Sequence, residues 1–118
     1  MSNQLAVLFP GIGYHIDKPL LYYSAKLARA RGYDLLAVQY PALPTGLRGH
    51  AEKIEQAVQT ALSAAEEQLT AIDWTAYDRV FFLSKSIGTA IAARYAVQHN
   101  IHPRQVYYTP IEQALPYL

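Results

Sequence analysis

Five consecutive apolar residues, Leu5-Ala6-Val7-Leu8-Phe9, stopped by Pro10-Gly11, limit this chain more than any other feature. A run that does not alternate between wet and dry faces suits a strand covered on both sides, as in a parallel sheet. It is too short for a membrane span or the apolar stretch of a signal peptide, and Met1-Ser2-Asn3-Gln4 brings no basic region before it. Three comparable runs follow. Asp34 to Tyr40 is closed by Pro41, Val80 to Leu83 is led in by Arg79, and Gln105 to Thr109 is ended by Pro110.

Segments of helical period separate these runs. Asp17-Lys18-Pro19 opens the first, with Leu20, Tyr23, Leu27 and Ala30 or Arg31 at three- to four-residue spacing and Gly32 as its stop. The second extends from about Gly49 to Ala71. Ile54, Val58, Ala61, Leu62, Ala65, Leu69 and Ile72 share one face, and Glu52, Glu55, Gln59, Glu66 and Glu67 lie mostly on the other, read as a solvated face. After the connector Asp73 to Asp78, whose Trp74 is expected to seal the end of the core, an Ala-rich helix continues from Ser86 to Asn100. The alternation β-α-β-α-β-α-β with right-handed crossovers predicts an α/β three-layer sandwich. Its four-stranded parallel sheet is expected in the order 2-1-3-4, as one domain spanning residues 1-118.

Charge and cysteine content narrow the function classes. A formal charge of +1, with acids and bases interspersed along the chain, predicts neither a nucleic-acid nor a membrane partner. No cysteine is present, which excludes a thiolate metal site and is compatible with a cytoplasmic location. No cofactor is expected. A dinucleotide fingerprint beginning at Gly11 and Gly13 would need glycine at position 16, which is Ile16, and Ser84-Lys85-Ser86 lacks the glycines of a phosphate loop.

The chemistry concentrates where the third apolar run breaks, at Ser84-Lys85-Ser86-Ile87-Gly88. A serine at the tip of a sharp strand-to-helix turn is pushed clear of the sheet, and the positions two before and two after it must be small. The Ile87 N–H is then left at the positive end of the helix. The plainer alternative is that Ser86 caps the helix through its own hydroxyl. The pattern resembles the nucleophile elbow of the α/β-hydrolases, G-x-S-x-G, with Ser84 in place of the first glycine. The loop Pro10-Gly11-Ile12-Gly13-Tyr14-His15 stands where that family carries its second oxyanion donor, which implies the Ile12 N–H. Tyr14 and His15 become candidate substrate contacts. In the expected strand order this loop and Ser86 meet at the switch point between the first and third strands.

What the resemblance implies is a serine hydrolase acting on an ester, thioester or amide carbonyl of a small acyl substrate. Ser86 would be the nucleophile, and the Ile12 and Ile87 N–H groups would hold the oxyanion. The family places its triad acid and histidine after later strands, which are not expected here, so the fold is read as a truncated hydrolase core, inactive or nearly so as this short chain. Glu112 is the candidate acid. His99 and His102 fall roughly 18–20 Å from Ser86, a helix length away. A non-catalytic small-ligand-binding module is the alternative. The last strand is expected to leave an apolar edge that a second copy covers, giving a homo-oligomer.

Overall fold

In the computed structural model, which describes residues 3–11, 19–43, 46–47 and 49–118, the first apolar run forms β1 (Gln4–Phe9). Helix α1 (Pro19–Ala30), strand β2 (Asp34–Ala37) and helix α2 (Ala51–Leu69) follow in chain order. Strand β3 (Arg79–Lys85), helix α3 (Ile87–Gln98) and strand β4 (Arg104–Tyr108) complete the regular elements. A 3₁₀ turn at Trp74–Ala76 precedes β3, and a 3₁₀ helix at Glu112–Tyr117 follows β4. The sheet is four-stranded and parallel throughout, in the order β2-β1-β3-β4.

The faces divide as the alternation of β1 requires. Val7 and Phe9 enter a large core with Phe82 of β3, Ala61 and Ala65 of α2, and Ile91 and Tyr95 of α3. Leu8 points the other way and meets Leu83 and Leu21 of α1. One face of the sheet therefore carries α2 and α3, and the other carries α1. Trp74 packs against the rings of Phe82 and Tyr95 at centroid distances of 5.7 and 5.9 Å, closing the end of the larger core as its sequence position predicts.

Several boundaries differ from the sequence reading, for identifiable reasons. Strand β2 ends at Ala37 rather than Tyr40, with one more ladder bond from Val38 N to Leu8 O at 2.9 Å. The next bond of a parallel ladder would need the N–H of residue 10, and Pro10 has none. Helix α1 stops where Gly32 adopts φ 86°, and α3 stops where Asn100 adopts φ 51°, so both expected left-handed terminators are found.

The acidic face of α2 is not uniformly solvated. Arg94 of α3 is buried, and its guanidinium donates two bonds of 2.7 Å to the Glu55 carboxylate. It also donates to the Gln113 carbonyl, and it lies 5.0 Å from the centre of the Tyr117 ring. This bidentate pair ties α2, α3 and the terminal 3₁₀ helix together. It holds the Glu55 carboxyl at a pKa of about 2, chiefly through the hydrogen bonds from Arg94.

Candidate functional site

Ser86 joins β3 to α3 with φ 55° and ψ −123°, a conformation that is crowded for any residue bearing a Cβ. The helix-cap alternative fails on geometry, because the Ser86 hydroxyl accepts no bond from the first turn of α3. Its backbone is held from both sides instead. Ser86 N donates to Tyr108 O at 3.0 Å. Its carbonyl accepts from Thr89 N at 2.9 Å and from the Thr89 hydroxyl at 2.6 Å. Thr89 is fully buried and its hydroxyl accepts from Ile111 N at 3.2 Å, so the chain after β4 braces the same turn.

The small residues on either side of Ser86 have separate tasks. Ser84 is wholly buried beneath the start of α3, and its hydroxyl reaches the Val106 carbonyl at 3.4 Å. Gly88 is in contact with the backbone of β1. A Cβ built there would stand 2.0 Å from Phe9 O and 2.7 Å from both Phe9 C and Pro10 O. Only glycine lets the first turn of α3 approach so near. Thr89 N is already bonded to the Ser86 carbonyl, so of that turn the Ile87 and Gly88 N–H groups are the ones at the positive end of the helix dipole that lack an i−4 acceptor within α3. Ile87, whose side chain is buried, supplies the first of them.

Register decides what else shares this end of the sheet. Phe9 pairs with Ser84, so carrying β1 on by two residues brings buried Gly11 level with Ser86. Leu8 pairs with Ala37, and counting three residues on from that pair sets Tyr40, beyond the end of β2, against Gly11. Ser86 thus sits at the switch point, between strands whose crossovers leave in opposite directions. The Tyr40 hydroxyl is buried without a hydrogen-bond partner among the described residues, and burial raises its pKa above the ordinary phenol value.

The remaining candidates are distributed unevenly. Ile12, Tyr14 and His15 lie outside the described residues. Glu112 is exposed at the start of the terminal 3₁₀ helix, one residue after Ile111, and no hydrogen bond joins it to Ser86 among the described residues. His99 stacks on Tyr95 at 4.1 Å and meets Glu66 at 3.1 Å, at the far end of α3. His102 lies beside the beginnings of β3 and β4. His50, exposed just before α2, makes no side-chain cap bond. Two contributors escaped the sequence reading. One is Thr89, indistinguishable in sequence from an ordinary helix residue. The other is Lys85, whose ammonium donates to the Thr109 hydroxyl at 2.6 Å.

No protein-family model, curated protein or solved structure matches this chain. The functional reading therefore rests on the turn itself. Backbone strain of this kind is concentrated at functional sites, and the Ser86 hydroxyl makes no cap bond to α3.

Proposed function

We propose that the chain is an α/β-hydrolase-like protein in which Ser86 accepts acyl groups from an ester, thioester or amide. The observation that carries the reading is the strained backbone of Ser86 together with a hydroxyl that makes no cap bond. Strain of this kind persists where surrounding structure enforces it, and it is concentrated at functional sites. The bonds through Thr89 and Tyr108 supply that enforcement.

In the proposed step the Ser86 oxygen attacks the carbonyl carbon, and the carbonyl electron pair moves onto oxygen. The Ile87 N–H, with the Ile12 N–H expected from the sequence, donates to that oxyanion. The hydroxyl proton passes to solvent, or to a base brought by the substrate, because no described histidine is hydrogen-bonded to Ser86. Collapse of the intermediate expels an alcohol, thiol or amine, which leaves with a proton, and water then cleaves the acyl-serine. Acylation without a histidine base is slow, with turnover far below that of a complete triad.

The same missing contact favours a second reading, a module that binds a small carbonyl ligand without reacting. Mixing with p-nitrophenyl acetate separates the two. The hydrolase reading expects p-nitrophenol released in step with an acetyl adduct on Ser86, and neither in Ser86→Ala. A binding module gives a thermal shift with the ligand and no adduct.

A further inference from the structure

At the opposite end of the sheet, chain segments far apart in sequence bring three arginines into one cleft. Arg31 follows α1, Arg79 opens β3 and Arg104 opens β4, and all three are exposed. They line a cavity of about 550 Å³ with His102, Tyr33 and Asp78. The two ion pairs among the described residues are Arg94–Glu55 and His99–Glu66, so none of the three guanidiniums is neutralised by a carboxylate. Asp78 is the single acid among the described residues that line the cleft, and its carboxylate accepts from Asn3 Nδ2 at 3.3 Å. Three guanidiniums against one carboxylate leave the cleft at +2, although the whole chain carries only +1.

The spacing suits convergence on one ligand. Arg104 pairs in register with Phe81, two residues beyond Arg79 on the neighbouring strand. One strand spacing and two residue rises separate their Cα atoms by roughly 8 Å, a gap that two long side chains can close over a shared anion. Guanidinium forks match the oxygens of a phosphate in pairs, which a lone ammonium does not. Tyr33, edge-on to Phe81 at 5.7 Å, supplies an apolar wall. A cavity of this size falls in the range of small-molecule sites, roughly 300–1,000 Å³, and does not call for an extended polymer.

We propose that the cleft of Arg31, Arg79 and Arg104 binds a small, multiply charged anion of the phosphate or pyrophosphate kind. It lies at the other end of β3 from Ser86, roughly 23 Å away by the strand rise, and it does not depend on the acyl-transfer reading. The sequence hides it because the three arginines are interspersed with acids along the chain and converge only through the parallel crossovers.

Isothermal titration with inorganic pyrophosphate at low ionic strength tests the assignment. Binding is expected in the parent chain and in Ser86→Ala alike. The double variant Arg79→Gln/Arg104→Gln should weaken it by about tenfold or more, the scale of a lost charge-assisted contact. Arg29→Gln removes a positive charge from α1 beside a different cavity and should leave binding within about twofold. Circular dichroism of each variant confirms folding, and all three arginines are exposed. Absence of binding at about 10 mM pyrophosphate would overturn the proposal, as would equal weakening by Arg29→Gln. Tighter binding of an oligonucleotide, with the same dependence on Arg79 and Arg104, would reassign the cleft to nucleic acid and also overturn it.

Discussion

Replacing Ser86 with glycine should make the protein more stable while removing the group on which its proposed chemistry depends. A residue with a Cβ held in a sparsely populated backbone region costs about 1–3 kcal/mol. Ser86, at φ 55°, is such a residue. Glycine occupies the region freely but loses about 0.5–1 kcal/mol to the greater entropy of its unfolded chain. The net expectation is a gain of about 0.5–2 kcal/mol. Ser86→Ala keeps the Cβ and therefore the strain. Because the hydroxyl makes no cap bond, its removal should change stability by less than about 0.5 kcal/mol. Trp74 is the single tryptophan and packs on Phe82 and Tyr95, so its fluorescence reports unfolding of the larger core. With a urea m-value of about 2 kcal/mol/M, a 1 kcal/mol gain moves the midpoint up by about half a molar. If the glycine variant proves no more stable than the alanine variant, the turn is not strained and the argument from it fails.

Further outcomes follow from single contacts. Gly88→Ala places a Cβ 2.0 Å from the Phe9 carbonyl, so α3 must lift by about 1 Å from a strand that cannot yield, and urea unfolding should show a loss of about 3 kcal/mol. Tyr40→Phe removes a buried hydroxyl that has no partner among the described residues and should leave the melting temperature unchanged or higher, whereas a clear fall would mean that the hydroxyl is bonded. The Glu55 carboxyl, held near a pKa of about 2 instead of 4.5, contributes stability that is complete above about pH 4.5 and is lost as pH falls through about 2. Since its side chain is 41% exposed, Glu55→Gln should cost only about 1 kcal/mol at pH 7. That difference should shrink towards zero near pH 2, and a gap independent of pH would exclude the ion pair as its source.

The strands and their order were legible because each apolar run is continuous and ends at proline, glycine or a helix-forming segment. Pro10 was visible as a stop, but its effect on the neighbouring strand, ending β2 at Ala37, depends on which N–H the parallel ladder needs next. The need for small residues around Ser86 could be read from the motif. The backbone angle of Ser86 could not, since it arises from tertiary bonds to Tyr108 and Thr89. Arg94 was passed over in an Ala-rich helix, because nothing local marks an arginine that will be buried against Glu55. The arginine cleft was hidden for a related reason: charge order along a chain does not report charge order in space.

The central claim is that Ser86 presents a nucleophilic hydroxyl beside oxyanion-binding amides. Incubation with a fluorophosphonate, followed by intact-mass and peptide-mass spectrometry, tests it most directly. A site with an incomplete triad keeps about 10³–10⁴-fold acceleration over water from its oxyanion donors and binding, so labelling should be slow, stoichiometric and confined to Ser86. It should vanish in Ser86→Ala. Either no adduct, or one that survives the loss of Ser86, would contradict the account.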